Sequence, residues 1–347
     1  MNVHIRIKDI AKIAGVSSAT VSLVLNEKPG VGEEKRAEIL KIAKELGYQR
    51  PKSGKSGQQE EAGTICFLHI ARHGHIVNRD HDVFITDYIE GLSRGCEDAG
   101  YSLQISTFKT TSLEKIIEFC HGVEADGLII LGTELSWEDV ASFREINKPQ
   151  IFIDTLYTYL DVDFVDMNNE DSVHAVVKEF VENGHKEIGI VNGSPETPNL
   201  RLRKKEFKSS LAYYGLEYRE EHSFTVDPTF HGAYNDMNRL LKQGVELPSA
   251  LFCVNDIIAC GCLRAFREFG VKIPDDLSII GFDDLPLAAI ADPPLTTISV
   301  SKARIGQTAV RLLNERIISK NRASISKVVI SGKLVRRQSV RKLEDRD

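Results

Sequence analysis

Two sets of polar residues in this 347-residue chain have the types and spacing for chemistry. One set stands at the ends of apolar, strand-like runs. Asp154 closes Ile151-Phe152-Ile153, and Asn255-Asp256 close Leu251-Phe252-Cys253-Val254. Asp283-Asp284 close Ile279-Ile280-Gly281-Phe282, and His69 with the loop Arg72-His73-Gly74-His75 closes the first such run. In open α/β sheets ligands bind beyond the carboxyl ends of the strands, so convergent carboxylates and amides there suit a small polar ligand. The plainer role of each is a helix cap or turn residue, above all for Asp256 and Asp284. The second set lies near the N-terminus. In Ile7–Asn26, Gly15-Val16-Ser17 separates two short segments of helical periodicity. Such a pair is the helix-turn-helix device that sets one helix into the DNA major groove.

The turn can be argued from local physics. Ile10, Ile13 and Ala14 fall at helical spacing, giving the first helix an apolar face. Gly15 supplies the permissive backbone that ends it, and Ser17 is a good N-cap for the next helix. Val21, Val24 and Leu25 repeat the spacing and face inward, which turns Ser18, Ala19, Ser22 and Leu23 outward. A third helix is predicted from Glu33 to Leu46, buried through Ile39, Ile42, Ala43 and Leu46 and stopped at Gly47. Gly32 is an acceptable cap for it. Residues 1–55 carry a net charge of +5 and the whole chain −6, leaving −11 on the remainder. A basic head on an acidic body fits a DNA-binding module joined to a regulatory domain.

From Thr64 onward strand and helix patterns alternate. Strands are predicted at 65–70, 103–106, 127–131, 150–153, 164–167, 187–191, 224–226, 250–254 and 277–281. Helices are predicted at 84–99, 113–120, 136–146, 170–183, 200–214, 234–243 and 256–269. After Leu295-Thr296-Thr297-Ile298 come a helix at 304–318 and one last strand region near 328–335. Alternation of this kind implies right-handed βαβ units and parallel sheets. Nine strands are too many for one compact lobe of this type, so two lobes with a cleft between them are expected.

Composition narrows the function. With 27% charged and 42% hydrophobic residues the chain is globular, and no apolar run approaches the ~20 residues that span a bilayer. No membrane partner is expected. The N-terminus enters a charged amphipathic helix directly, so a cytoplasmic location is expected. The six cysteines sit among apolar neighbours, as small core residues do. Cys260-Gly261-Cys262 lacks a second ligand pair, and His73, His75 and His81 have no fixed ligand spacing, so no metal is expected. The sequence has no Gly-x-Ser-x-Gly, no phosphate loop and no Gly-x-Gly-x-x-Gly, and Asp283-Asp284 are neighbours that point to opposite faces. An enzyme and a bound cofactor are therefore not expected. Gly91 and Gly95, four apart on one helix, read as packing positions.

Together these segments resemble the lactose-repressor/galactose-repressor (LacI/GalR) family of bacterial transcription regulators. The resemblance spans nearly the whole chain. It rests on Ile7-Lys8-Asp9-Ile10-Ala11 with Gly15-Val16-Ser17 and Thr20-Val21-Ser22, on Leu46-Gly47-Tyr48, on Gly184-His185-Lys186-Glu187-Ile188, on Asn255-Asp256, on Gly281-Phe282-Asp283-Asp284 and on Pro294-Leu295-Thr296-Thr297-Ile298. It implies a small all-α helix-turn-helix head plus an α/β periplasmic-binding-protein-like body of two doubly wound parallel-sheet lobes. Residues 1–50 would be the DNA-binding domain, 51–63 a linker, and 64–347 the effector-binding and dimerisation domain. Within the body, the N-lobe is placed at about 64–157 plus 296–320 and the C-lobe at about 158–295 plus 321–340. Double-stranded operator DNA, a small effector and a second copy of the chain are the implied partners, and repression the implied activity.

Residue by residue, the resemblance sets Ser18, Ala19 and Leu23 against base edges and Ser17, Thr20, Ser22 and Asn26 against the phosphate backbone. That division suits hydroxyls and amides for register and an exposed leucine for a thymine methyl. For the effector it implies Arg203, Asn255, Asp283 and Asp154, with Arg201 as the alternative partner one register slip away. His73 joins them through the loop that leads off the first strand. Arginine, carboxylate and amide together grip vicinal hydroxyls or a carboxylate, which points to a sugar or a sugar-derived acid.

The chain departs from the family at 51–63. Pro51-Lys52-Ser53-Gly54-Lys55-Ser56-Gly57-Gln58-Gln59-Glu60-Glu61-Ala62-Gly63 holds no large apolar side chain. It reads as a flexible linker without a clear hinge helix, and no residue is available to wedge between base steps. Weak operator bending is expected. The polar C-terminal tail is too short for a heptad zipper, so a homodimer is expected over a tetramer. The competing reading is a cytoplasmic solute-binding receptor with weak or no specific DNA binding.

Overall fold

The computed structural model describes residues 7–17, 20, 21, 24, 31–45, 63–319 and 324–343. The chain divides into two compact units, 1–60 and 61–347.

In the first unit, helix Ile7–Ala14 ends where Gly15 takes φ +65, a conformation that costs glycine nothing. Val16 N–H reaches back to the Ala11 carbonyl at 3.1 Å, closing the helix end. Ser17 then caps the next helical turn. Its Oγ accepts the Thr20 N–H at 3.1 Å, and its carbonyl accepts the Val21 N–H at 3.2 Å. Helix Glu33–Glu45 begins after Gly32, whose carbonyl accepts from Arg36 N–H. Ile10, Ala11, Ala14, Val21, Val24, Ile39 and Ala43 form the core. Ile13 is a correction: it is 58% exposed. At 100° per residue Ile10, Ala11 and Ala14 centre the buried arc, and Ile13 falls about 100° off that centre. Leu25, Leu46 and Gly47 lie outside the described residues, as does the linker 51–62.

The second unit holds two parallel sheets. The first has six strands in the order β11-β5-β4-β3-β1-β2: Lys327–Ser331, Asp163–Asn168, Gln150–Ile153, Gly127–Leu131, Thr64–Ala71 and Ser102–Lys109. The second has four in the order β7-β6-β8-β9: Ser223–Val226, Ile188–Gly193, Ala250–Cys253 and Ser278–Ile280. Between them β10, Thr297–Ser299, pairs antiparallel with β12, Lys333–Val335. The central strands are apolar on both faces because helices cover both sides.

Two boundaries expected from the sequence are corrected. Strand 163–168, assigned to the C-lobe, pairs with β4 in the first sheet, Phe152 opposite Phe164. The region 328–335 is not one strand of the C-lobe. Its first half pairs with β5, Val328 opposite Val165, and Gly332 then breaks it so that 333–335 meets β10. The chain therefore crosses between the lobes after β5, around β10, and again at Gly332. From 336 to 343 the tail is fixed along the second sheet: Ile279 N–H donates to the Ser339 carbonyl at 2.8 Å, and Ser339 Oγ donates to the Ile279 carbonyl at 2.6 Å.

Glycines position the helix that brings Phe84 and Ile85 to the cleft wall. Helix Asp82–Ala99 packs against Lys302–Ser319 through Gly91, Gly95 and Gly306, where an added Cβ at Gly91 would stand 2.1 Å from the Ala303 carbonyl oxygen. Among the described residues no helix is long and apolar enough to cross a membrane. All six cysteines are buried and unpaired.

Candidate functional site

The carboxyl ends of the two sheets face one cluster of polar side chains. Asp154 follows β4 at φ +58 and Asp283 follows β9 at φ +108, both in the left-handed region that side chains other than glycine rarely occupy. Such strain persists where surroundings over-determine it. Here the surroundings are hydrogen bonds. Asp154 accepts from Tyr88 Oη at 3.1 Å and from Thr133 Oγ1, while Asn199 Nδ2 lies 3.1 Å from its carbonyl and 3.3 Å from its carboxylate. The same amide nitrogen lies 3.3 Å from Asp166 Oδ1.

Arg203 comes from helix Pro198–Tyr213, on the face it shares with buried Leu200 and Phe207. It is 3% exposed. Its Nε donates to Asn169 Oδ1 at 3.0 Å and its Nη1 to the Val254 carbonyl at 2.5 Å. Its guanidinium lies 3.6 Å from the centre of the Phe282 ring, a cation–π stack. Nη2 stands 3.5 Å from Asp283 Oδ1, an ion pair too long to satisfy that oxygen, which has no hydrogen-bond partner. Lys302 Nζ donates to the Asp283 carbonyl at 2.9 Å and pairs with Asp87 at 3.3 Å.

The carboxylates feel their burial. Burial pushes Asp154 up to about 6 against the pull of Thr133 and Arg203. Burial and the neighbouring Asp154 charge push Asp166 up to about 8. Asp283 is also raised by burial, with Arg203 and Lys302 opposing. Near neutral pH the Asp154–Asp166 pair therefore retains a proton.

The structure brings Asp154, Arg203, Asn255 and Asp283 to the wall of one cavity of about 30 Å3, together with Asn199 and His81. That is room for a water molecule or two. Asn255 also caps helix Asp256–Glu268, accepting the Ile258 N–H at 2.8 Å. Arg201 is excluded: it is exposed and pairs with Glu196 at 3.3 Å. His73 is a correction. It lines a separate opening with Arg72, Glu134 and Asp139, its Nδ1 3.3 Å from Glu134, and the loop contributes Ile76, Val77 and His81 to the cavity in its place. Asp256 and Asp284 keep structural roles. Asp256 accepts from Leu285 N–H and Thr297 Oγ1, and Asp284 from Arg337 at 2.6 Å. Among the described residues no three His, Cys, Asp or Glu side chains gather as a metal set.

Sequence reasoning missed Tyr88, Thr133, Asp166 and Asn199. Asp166 alone carried a signal, a charge inside an apolar run. In the head, Ser17 Oγ and Thr20 Oγ1 stand 2.8 Å apart at the start of the second helix. Ser18, Ala19, Ser22, Leu23 and Asn26 lie outside the described residues.

Comparison with known proteins agrees with this architecture. Residues 6–51 match the model of bacterial regulatory proteins of the lacI family, and residues 177–340 that of a periplasmic binding protein-like domain. The HTH-type transcriptional repressor PurR of Haemophilus influenzae is 33% identical over 350 residues, covering 97% of this chain and 99% of that protein. PurR of Mannheimia succiniciproducens is 32% identical over 342 residues, with 97% and 99% covered. The fold is shared with a complex of the transcriptional regulator CelR with cellobiose, at TM-score 0.71 and 22% identity over 96% of this chain and 99% of that one. It is shared equally with the lac repressor dimer bound to operator and the anti-inducer ONPF, at TM-score 0.71 and 22% identity over 98% and 100%. With a head and a two-lobed body matched from end to end, this chain belongs to the LacI family of bacterial transcription regulators.

Proposed function

We propose that the chain is a homodimeric transcriptional repressor whose hold on operator DNA is set by a small neutral polyhydroxylated ligand, a sugar, bound between the lobes. The observation that carries this is the closed polar network itself. Arg203, Asn199, Asp154 and Asp283 are fully buried, and at present they grip one another and the backbone. A cavity of about 30 Å3 admits no metabolite, so binding requires the lobes to part and the ligand to replace those bonds. Arg203 and Asn255 would then donate to ligand oxygens, and Asp154 and Asp283 would accept from ligand hydroxyls. Charge favours a neutral sugar over a sugar acid. Asp154, Asp166 and Asp283 surround one cation, Arg203, because Lys302 is already paired with Asp87. Even with one proton shared by Asp154 and Asp166, the three carboxyl groups carry more negative charge than Arg203 balances, and a ligand carboxylate would add to that excess.

In the head, Ser17, Thr20, Ser22 and Asn26 would hold phosphates, and Ser18, Ala19 and Leu23 would face bases. Two heads on a symmetric dimer would read the two halves of a pseudo-palindrome. The test is a thermal-shift screen pairing neutral sugars with their acids, followed by DNA-binding titrations. A ligand at about 100 times its Kd adds roughly 2.7 kcal/mol of stability. A neutral sugar is expected to raise the melting temperature and change DNA affinity; stabilisation by the acids alone would overturn the ligand class.

A further inference from the structure

The loop between β1 and helix Asp82–Ala99 folds around a single carboxylate. Glu134, 6% exposed, accepts the N–H groups of His73 and Gly74 on Oε2, both at 2.9 Å, and those of Ile76 and Val77 on Oε1, both at 2.8 Å. Successive N–H groups converging in this way form a concavity that binds anions. Here the chain's own side chain fills it. Burial pulls the Glu134 pKa up, yet the four N–H groups hold it below the usual carboxylate range. The carboxylate is thus a permanent charge on which the loop is wound. One consequence is that Ile76, Val77 and His81 form part of the cavity wall.

From that anchor the loop reaches the other lobe. Asn78 caps the short turn Arg79–His81, accepting the Asp80 N–H at 2.8 Å, and so aims Asp80. Asp80 Oδ2 accepts the Phe230 N–H at 3.1 Å. Phe230 is the first residue of helix Phe230–Lys242, whose cap Thr229 already serves Gly232. Asp80 therefore satisfies one of the N–H groups that a helix start leaves open, at the positive end of the helix dipole. His75 Nδ1 stands 3.8 Å from Asp227 Oδ2 beside it. Glu134 and its loop hang from the first sheet, whereas Asp227 and Phe230 come after β7 of the second.

We propose that residues 72–81 are a clasp across the cleft, with Glu134 the positioning residue that fixes the loop to the first lobe and Asp80 the catch that holds the second. The clasp rests on the reading of the cleft as the effector site, and it makes opening conditional on release of a bond that no ligand touches. It explains why a loop of this length, rich in charge, adds only two aliphatic side chains and one histidine to the wall. Of the rest, His73 and Gly74 hold the anchor, and Asn78 and Asp80 form the catch.

Hydrogen exchange read by mass spectrometry on the full chain, with no ligand added, tests it. Asp80→Ala is expected to speed exchange at the start of helix Phe230–Lys242 by about tenfold while amides 73–77 stay protected. Asp80→Asn, which keeps the acceptor, is expected to restore most of that protection. Glu134→Gln is expected to deprotect 73–77 and also the start of the helix on the other lobe, which a purely local role would leave unchanged. The proposal fails if Asp80→Ala leaves the helix start as protected as in the parent. It fails equally if Glu134→Gln does so while opening 73–77. Should Glu134→Gln also deprotect β1 and so prove misfolded, the exposed Asp80 pair decides alone. A wrong effector reading shows differently: no neutral sugar then protects these peptides, and the exchange pattern of the variants stands.

Discussion

Replacing Asp166 with asparagine should remove one large contribution to the pH dependence of folding stability and leave that of Asp256, which burial also pushes up to about 8. Asp166 is fully buried on β5, with Oδ1 facing Asn199 and Oδ2 without a hydrogen-bond partner. Burial and the Asp154 charge push its pKa up to about 8 from 3.8. The unfolded chain holds this carboxyl ionised above about pH 5, whereas the folded chain keeps its proton to about pH 8. The folded state binds the extra proton, so the contribution of Asp166 to stability is full at low pH and falls as pH rises through this window. One proton corresponds to about 1.4 kcal/mol per pH unit, or about 2.7 kcal/mol between about pH 5.5 and about pH 7.5. Asp154, pushed up to about 6, adds to the fall in the lower half of that range. Asparagine has the same shape, keeps the acceptor facing Asn199 and cannot titrate. It also removes a charge from beside Asp154, which then ionises more readily. Urea midpoints at three pH values, at fixed protein concentration, give the slopes. The parent should lose stability with rising pH and the Asp166→Asn protein should lose about 2–3 kcal/mol less over the same interval. Parallel slopes would refute the shared proton.

Substitutions at Arg203, Gly91, Ser17 and Thr20 probe other parts of the structure. Arg203→Ala leaves Asp283 buried without its cation and should cost about 3–5 kcal/mol of stability, measured by urea unfolding. Arg203→Lys should fold better yet still fail to respond to ligand, because an ammonium cannot reproduce the fork that spans Asn169 and Val254. Gly91→Ala drives a methyl against the Ala303 carbonyl and should cost about 1–3 kcal/mol, read as a lowered melting temperature. Ser17→Ala removes the cap on Thr20 N–H and should cost about 1 kcal/mol in the head. Combined with Thr20→Ala it should weaken binding to all duplexes alike, leaving ligand binding unchanged in calorimetry.

How much of this was legible depends on whether the information is local. The strand spans were, because each central strand is apolar on both faces. Arg203 over Arg201 is legible once helical phase is considered, since Leu200, Arg203 and Phe207 share one face. Lobe membership was not. β5 reads like any buried strand, and nothing in Asp163–Asn168 states which sheet accepts it. Val328–Val335 reads as one strand because the break is a single glycine. The cluster around Asp154 was half visible. Asp154 and Asp283 stand where strand ends put functional carboxylates, but Asn199 and Asp166 meet them only through tertiary contacts. His73 was chosen for its chemistry and its place in the loop. The residue that organises that loop, Glu134, lies 57 to 61 positions away, beyond any local pattern.

The central claim is that occupancy of the cleft changes the grip of the head on DNA. Fluorescence anisotropy of the full-length protein on a duplex selected from a random pool, titrated with the sugar that most raises its melting temperature, tests it most directly. The parent should shift DNA affinity by about tenfold or more, with Asp283→Ala binding DNA but not shifting. Identical DNA affinity with and without a ligand that demonstrably occupies the cleft would contradict it.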